Sequence, residues 1–142
     1  MTEKKLINSD KLLIKNIMIE KSSFACANED DILADVISNM NKFGIGIACV
    51  TNDEGKLSGI LTDGDLRRII TKIQKPFSAL VNDDVNDYTI KKPITISPDQ
   101  NINDGIKIME KNLIWDIPVV DENGFLLGLL HLHGALKKIL DL

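Results

Sequence analysis

The sequence predicts an α+β fold in which two β-α-β-β-α repeats pack about a pseudo-twofold axis. The first observation is an internal repeat: the segment from Asp30 matches the segment from Asp99, at a constant offset of 69 residues and without a gap. The second is that both copies show helical and strand-like spacing of apolar residues in the same order. The third is length, because 142 residues suffice for one ordinary domain or two very small units.

The repeat rests on identities as well as on retained apolar character. Identical pairs include Asp30/Asp99, Met40/Met109, Lys42/Lys111, Gly55/Gly124 and Gly59/Gly128. Two copies fill the chain, and we expect a pair rather than a stacked array, which needs at least three repeats. The expected boundaries are a first unit over residues 11–73, a linker over 74–92 and a second unit over 93–142.

Each copy contains a helix, a β-hairpin and a second helix. We expect Asp30 and Asp99 to cap the first helices, because a carboxylate there accepts from free backbone N–H groups. The hairpins are "IACV" with "KLSGILT" and "IPVV" with "FLLGLLH", joined by the turns "NDEG" and "DENG". Extended pieces, "FACA" and "PITISP", precede the copies, and "KLLIKNIM" predicts an extra amphipathic helical turn or two. Apolar residues at helical spacing are Ile32, Val36, Ile37, Met40 and Phe43, then Ile102, Ile106, Met109 and Leu113.

Composition and charge restrict the function classes. A hydrophobic fraction of 44% with 27% charged residues is typical of a globular protein rather than a disordered one. The net charge of −4 argues against nucleic-acid binding, and no apolar run is long enough to span a membrane. The N-terminus has no signal-peptide core, and Cys26 and Cys49 are predicted to be buried reduced thiols, so we expect a cytoplasmic protein.

The stretch "GILTDGDLRR", residues 59–68, carries the candidate chemistry. A strand that ends at Thr62 and turns into a helix leaves backbone N–H groups that attract anions. The Thr62 hydroxyl can bind a phosphate or ribose oxygen, the Asp65 carboxylate can accept from two ribose hydroxyls, and Arg68 can bind a phosphate in bidentate fashion. Gly59 would let a base or sugar approach the strand closely.

Two other interpretations of the same stretch stay open. The pattern T-x-x-D at Thr62 and Asp65 is also an N-capping arrangement that fixes a helix start without any ligand. Asp63 and Asp65 form a D-x-D pair that could bind a metal, but no further ligands that would complete a shell are apparent. We therefore expect no metal site and no required cofactor.

The second copy departs from the first at this site. The offset places His131 where copy one has Thr62, and Gly134 where it has Asp65, so we expect the second site to bind a ribosyl ligand poorly. His131 and His133 alternate on one strand face or straddle the end of the strand. They are candidate ligand-facing residues, and a metal site would need a third ligand.

These residues carry a family resemblance. Two β-α-β-β-α copies, with a hairpin that ends in Gly-apolar-apolar-Thr and a helix with Asp three residues later, resemble a tandem CBS-domain pair (a Bateman module) over residues 11–142. "KLLIKNIM", "GILTDGDLRRII" and "GLLHLHGALKKIL" resemble the C-terminal regulatory half of sugar isomerases of the arabinose-5-phosphate isomerase family. In those enzymes a separate N-terminal domain performs the isomerisation, so the chain resembles the regulatory half alone.

The resemblance implies roles for individual residues. It assigns Thr62 to phosphate or ribose, Asp65 to ribose and Arg68 to phosphate. It places the base between the first two strands of the opposite copy. Asp116 stands where some nucleotide-binding pairs have a phosphate-facing arginine, which argues against an AMP-like ligand and favours a sugar nucleotide or a ligand whose phosphates face Arg68. The residues expected around the base are Ile94, Thr95, Ile114 and Asp116.

Three functions follow as hypotheses. The first is a non-catalytic regulatory module that binds AMP, ATP or a CMP-linked acidic sugar and modulates a sugar-phosphate isomerase of lipopolysaccharide biosynthesis, in cis or in trans. The second is a structural dimerisation module without a ligand, in which exposed apolar positions on the second helices form the dimer face. The third, an enzyme that uses Asp63, Asp65 and the histidines, is disfavoured because nothing resembles an activated nucleophile or a phosphate-binding glycine loop. A homodimer is expected in either of the first two cases.

Overall fold

The structure, a computed structural model, describes residues 12–141 and divides into two compact units. One unit contains residues 21–93, and the other combines residues 12–20 with residues 94–141. The predicted segment "KLLIKNIM" begins at Lys11, which lies outside the described residues, as does Leu142. No helix among the described residues is long and apolar enough to cross a membrane.

The unit of residues 21–93 is a four-stranded mixed sheet with helices. Its elements are a 3₁₀ turn (Lys21–Ser23), β2 (Ala25–Asn28), α2 (Leu33–Phe43), β3 (Ile47–Thr51), β4 (Leu57–Thr62), α3 (Asp63–Lys72), α4 (Phe77–Leu80), a second 3₁₀ turn (Val85–Asp87) and β5 (Ile90–Lys91). The strand order is β2-β3-β4-β5, with β2 parallel to β3 and the other pairs antiparallel. The predicted hairpin of copy one is therefore confirmed.

The other unit repeats this plan. Its elements are α1 (Ile14–Ile17), β1 (Ile19–Glu20), α5 (Ile102–Asn112), β6 (Asp116–Val120), β7 (Leu126–His131) and α6 (Leu132–Leu140). The three strands are antiparallel in the order β1-β7-β6. The predicted extended segment "PITISP" forms no strand there, only an isolated parallel bridge between Ile96 and Val119. The helical turn predicted in "KLLIKNIM" is α1.

Each unit takes its edge strand from the segment that precedes the other copy. The strand β1 lies before copy one but pairs with β7, where Glu20 lies opposite Gly128. The strand β5 lies before copy two but pairs with β4, where Lys91 lies opposite Gly59. Residues 74–92, predicted as a linker, therefore contribute α4, β5 and the buried Leu80 and Val85 to the unit of residues 21–93.

Apolar side chains at the predicted helical spacing form a core in each unit. In one, Leu33, Val36 and Met40 of α2 pack with Ala48 and Val50 of β3. In the other, α5 contributes Ile102 and Met109, which pack with residues of β6, β7, α1 and α6: Ile117, Val119, Leu130, Ile14, Ile17, Ala135 and Ile139. Burying such side chains contributes about 1.5–3 kcal/mol each, so the helix–sheet contact of each unit stabilises it.

The hairpin turns follow the sequence prediction, whereas the predicted helix caps are wrong. Gly55 and Gly124 adopt the positive φ values of 92° and 89° that the turns require. Asp30 and Asp99 do not cap, because the helices begin later in the chain. The N-cap of α2 is Ile32, which has no side chain that can cap, and the N-cap of α5 is Asn101, which accepts from Asp104 N.

The two cysteines lie opposite each other on the parallel strands β2 and β3 and are not joined by a disulfide. Cys49 is buried and Cys26 is half-buried, close to the predicted state. Burial raises the pKa of the Cys26 thiol, although nearby Lys21 lowers it in part. A thiol with a raised pKa is a poor nucleophile at neutral pH.

Candidate ligand-binding site

The candidate site is built at the junction of β4 and α3. Thr62 is the last residue of β4 and the N-cap of α3, with extended backbone angles (φ −111°, ψ 163°). The helix begins directly at Asp63, whose backbone N–H donates to the Gly46 carbonyl oxygen at 3.0 Å. This bond ties the start of α3 to the loop that precedes β3, so the first turn of the helix is held against the sheet.

Thr62 and Asp65 form a reciprocal capping box. The Asp65 backbone N–H donates to Thr62 Oγ1 at 3.2 Å, and the Thr62 backbone N–H donates to Asp65 Oδ2 at 3.1 Å. The Thr62 hydroxyl also donates to Asp65 Oδ2 at 2.7 Å. The capping interpretation of T-x-x-D is therefore realised, and it places the hydroxyl and the carboxylate in direct contact.

Arg68 completes the cluster. Its Nη2 donates to Asp65 Oδ1 at 2.6 Å, which forms an i,i+3 ion pair on α3. The guanidinium folds back over Gly64, where an added Cβ would lie 3.4 Å from both Nη1 and Nη2. The Asp65 side chain is 11% exposed and the Arg68 side chain 55% exposed, so the arginine covers the carboxylate from the solvent side.

The electrostatics keep Asp65 ionised. Burial by itself would raise the pKa of Asp65, but the hydrogen bonds from Arg68 and from Thr62 outweigh it and lower the pKa below its ordinary value. At neutral pH the site therefore holds one carboxylate and one guanidinium that neutralise each other. Asp63, a member of the D-x-D pair considered above, and Arg67 are exposed on the same helix.

Packing within its own unit explains why residue 59 is a glycine. It is buried, and a Cβ at this position would lie 2.7–2.9 Å from Thr89 and from the Ile90 carbonyl oxygen. The absence of a side chain at Gly59 thus allows strand β5 to pack closely against β4. Gly128 plays the same part in the other unit, where a Cβ would lie 2.7 Å from the Ile19 carbonyl oxygen of β1.

The predicted residues of copy two include a second polar contact. His131 Nδ1 lies 2.6 Å from Asp116 Oδ1, and both side chains are about four-fifths buried, at 21% and 17% exposure. His131 ends β7 and His133 lies in the first turn of α6, so the pair straddles the strand end, with ring centroids 5.7 Å apart. Among residues 12–141 no group of three or more His, Cys, Asp or Glu side chains is arranged to hold a metal ion.

The remaining predicted residues lie in the same unit as this histidine pair. Ile94 and Thr95 are exposed on the segment before α5, and Ile114 is half-buried against the core of its unit. The site residues Thr62, Asp65, Arg68 and Gly59 belong to the other unit.

Sequence patterns alone do not single out Gly64 or the surface pocket next to Asp63. A Cβ at Gly64 would be in ordinary van der Waals contact with the Arg68 guanidinium, at 3.4 Å from Nη1 and from Nη2. The pocket, of about 260 Å³, lies between α2, the loop of residues 44–46 and the start of α3. A signal for the pocket exists in hindsight, since Gly44 and Gly46 lack side chains where the repeat has Leu113 and Trp115.

The fold and this junction define a protein built from two copies of one small α+β unit, each with a strand that leads directly into a helix at a polar cluster. The family model for the CBS domain matches residues 14–72 and again residues 85–141. The chain therefore belongs to the CBS-domain family, as the sequence resemblance implied.

Relatives extend this result. Protein RP505 of Rickettsia prowazekii is 35% identical over 126 residues, covering 87% of this chain and 37% of its own length. Protein MJ1426 of Methanocaldococcus jannaschii is 34% identical and is matched over 88% of its length. Arabinose 5-phosphate isomerase KdsD of Pseudomonas aeruginosa is 32% identical over 110 residues, covering 74% of this chain and 31% of the enzyme. The chain thus spans about a third of the length of RP505 and KdsD.

Solved structures confirm the fold of a tandem CBS pair. CBSX2 of Arabidopsis thaliana, in complex with AMP, superposes with a TM-score of 0.80 at 20% identity, covering 92% of this chain and 97% of that one. The CBS pair of MJ0100, in complex with 5′-methylthioadenosine and S-adenosyl-L-methionine, gives a TM-score of 0.74 at 19% identity, with coverages of 91% and 95%.

Proposed function

We propose that this chain is a non-catalytic regulatory module that binds an adenine nucleotide at the junction of β4 and α3. The observation that carries the proposal is the contact of Thr62, Asp65 and Arg68 in one cluster at the start of a helix. A hydroxyl, an ionised carboxylate and a guanidinium are the groups that a ribose and a phosphate need. The adenosine ligands of CBSX2 and MJ0100, which share the fold, support this ligand class.

Binding at this site requires an exchange of partners. The two vicinal hydroxyls of a ribose donate to Asp65, and Arg68 turns from the carboxylate to the phosphate. The exchange costs little on the Arg68 side, because an ion pair with a half-exposed partner is worth at most about 1 kcal/mol. Thr62 keeps the carboxylate in place during the exchange, since its two hydrogen bonds go to Oδ2 rather than Oδ1.

The family resemblance predicts base-binding residues in the other unit, and the proposed site of Thr62, Asp65 and Arg68 does not depend on them. Ile94 and Thr95 are exposed, as a binding role requires, and Ile114 offers a half-buried apolar side chain. Asp116 already has a partner in His131 within its own unit. Gly59 is left out of the proposed site, because β5 occupies the space beside it.

A more specific form of the proposal links the module to arabinose-5-phosphate isomerases. It is favoured by the identity to KdsD and by the shared "TDGDLRR" pattern of the family resemblance. In this form the effector is a CMP-linked acidic sugar, and the module modulates an isomerase domain in cis or in trans. The chain alone is then expected to show no turnover of arabinose 5-phosphate.

A structural dimerisation module is the second candidate. It is favoured by the completeness of the capping box, because Thr62, Asp65 and Arg68 satisfy one another without a ligand. In that case the cluster only fixes the start of α3.

A thermal-shift titration separates these candidates. AMP, ATP, 5′-methylthioadenosine, CMP and a CMP-linked acidic sugar are tested separately against the chain. A ligand at a hundred times its Kd adds about 2.7 kcal/mol to the free energy of unfolding. Stabilisation by an adenosine compound supports the first form, and stabilisation by the CMP compounds alone supports the isomerase-linked form. No shift with any of them supports the structural module.

The matched variants are Asp65→Asn and Asn101→Ala. Asp65→Asn removes the charge from the proposed site and is expected to abolish the ligand-induced shift. Asn101→Ala removes the N-cap of α5 in the other copy, so it destabilises the chain by a comparable cap loss but leaves the shift intact. Equal ligand-induced shifts in wild type and Asp65→Asn would place the ligand elsewhere.

A further inference from the structure

The two cysteines of the chain are direct neighbours across the first two strands of the unit of residues 21–93. Cys26 of β2 and Cys49 of β3 are partners in the parallel register of these strands. Neighbouring strands lie about 4.7–4.9 Å apart, and residues directly opposite each other project their side chains to the same face of the sheet. The two thiols therefore lie side by side on one face, about one strand spacing apart.

The cysteines occupy the face of the sheet that is turned away from the helix–sheet core of this unit. The residues that flank them on β2 and β3 belong to that core: Ala25, Ala27, Ala48 and Val50. Because successive side chains of a strand alternate between faces, Cys26 and Cys49 point the other way. On that face Cys49 lies between Cys26 on one side and Ile60 of β4 on the other.

The two thiols differ in accessibility. Cys49 is fully buried, whereas Cys26 lies on the edge strand β2 and is partly exposed. The Cys26 thiol donates to the Lys21 carbonyl oxygen at 3.6 Å, and the charge of Lys21 is close enough to lower the pKa of this thiol in part. An ion that reaches the pair from the edge of the sheet thus meets Cys26 first, next to a cation that offsets negative charge on sulfur.

The spacing of the pair suits one class of metal ion. A linear sulfur–metal–sulfur unit with bonds of about 2.3 Å, the length of a zinc–sulfur bond, needs sulfurs about 4.6 Å apart, close to the strand spacing. Thiolates are soft ligands that select Cu(I). Structural Zn²⁺ needs four ligands, and among residues 12–141 no group of three or more His, Cys, Asp or Glu side chains could hold a metal. A disulfide, with a bond of about 2.05 Å, would require the side chains to converge.

We infer that Cys26 and Cys49 form a two-coordinate site for a soft monovalent cation, Cu(I). On binding, each thiol loses its proton to the solvent and two copper–sulfur bonds form, while copper keeps its oxidation state. The bound group carries one negative charge, which Lys21 partly offsets. Copy two lacks the site, because the offset of 69 residues places Thr95 and Pro118 at the equivalent positions. The site lies within one unit and does not depend on the proposed nucleotide site.

Competition with a coloured chelator measures this site directly. The full chain, reduced and kept under nitrogen, is titrated into the Cu(I) complex of bathocuproine disulfonate, whose absorbance falls as copper leaves. We expect the chain to take up one Cu(I). Cys26→Ser and Cys49→Ala should each weaken binding by roughly a hundredfold or more, as the affinity that each ligand contributes in zinc fingers indicates. His133→Ala, a control that removes an exposed metal-ligating side chain from the other unit, should bind Cu(I) as wild type does.

X-ray absorption at copper and light scattering test the geometry of the site. The absorption spectrum should show two sulfur neighbours in linear arrangement, and the mass of the chain should not double on copper binding. Circular dichroism checks that each variant is folded. If Cys49→Ala fails to fold, Cys26→Ser tests the site alone, since it changes a partly exposed side chain on an edge strand.

Three results would overturn the inference. The first is that the chelator keeps all of its copper in the presence of the wild-type chain. The second is that a folded variant without one of the two cysteines binds Cu(I) as tightly as wild type. The third is that copper is held between two chains through Cys26, or has nitrogen neighbours.

Discussion

Replacement of Asp65 by alanine tests what holds the start of α3. The substitution removes the acceptor of three hydrogen bonds, two from Thr62 and one from Arg68. Loss of the hydrogen bonds from Thr62 to the carboxylate contributes about 1 kcal/mol, and loss of the charge-assisted hydrogen bond about 1.5–3 kcal/mol. The ion pair with the half-exposed Arg68 adds little to the free energy of unfolding. Alanine at position 65 favours the helix over aspartate by up to about 0.7 kcal/mol, which offsets part of the loss. We expect a net loss of about 2–3 kcal/mol in the free energy of unfolding.

The assay is urea denaturation followed by far-ultraviolet circular dichroism. The control is Asp104→Ala, since Asp104 occupies the same third position in α5 and should cost only the general helix-dipole effect of about 0.3–1 kcal/mol. If Asp65→Ala lowered the free energy of unfolding no more than the control does, the reasoning would be refuted, because the capping box would then not contribute to stability.

The pH dependence gives an independent check with a fixed sign. The folded-state pKa of Asp65 is lowered, because bonds from Arg68 and Thr62 outweigh the effect of burial. The stabilising contribution is thus complete above the ordinary carboxyl pKa and is lost as pH falls through the lowered value. The difference between wild type and Asp65→Ala should be constant from pH 5 to 7 and should shrink in stronger acid. A difference that grows in acid would contradict the assigned hydrogen bonds.

Two further predictions concern residues away from the site. Tyr88 is the single tyrosine, and its hydrogen bond to Asp83 is the main cause that raises its pKa to about 12. An ultraviolet titration should show that midpoint, and Asp83→Asn should move it toward 10; an unchanged midpoint would exclude the bond. Gly105→Ala should destabilise the chain by roughly 1–2 kcal/mol in urea denaturation, because its Cβ would lie 2.5 Å from the buried Leu130 Cδ2. Gly134→Ala, with its nearest neighbour at 3.9 Å, should be neutral or stabilising, and equal losses for both would contradict the packing.

The helix starts show where local sequence patterns mislead. Asp30 and Asp99 are good capping residues by type, but the helices begin only at Leu33 and Ile102. Their start is set by the point at which apolar side chains can reach the core. At Thr62 the same kind of pattern predicts the helix start correctly, because strand β4 leads into α3 without an intervening loop.

The edge strands show what no local pattern can decide. Both β1 and β5 have only two residues, too short for a distinctive alternation. Nothing in such a short segment selects the sheet that it joins. The choice depends on the open edges of β7 and β4, which exist only once the hairpins have formed.

The amino-acid order by itself determined the repeat, the hairpins with their turn glycines, the amphipathic helices and the polar cluster at the start of α3. These features depend on neighbours close in the chain, through the periods of helix and strand and the φ preference of glycine. Only the tertiary structure decided which unit receives each edge strand. It also decided that Arg68 pairs with Asp65, and that the space beside Gly59 is occupied by β5. Those outcomes depend on contacts between distant residues, whose geometry is fixed only when the chain is packed.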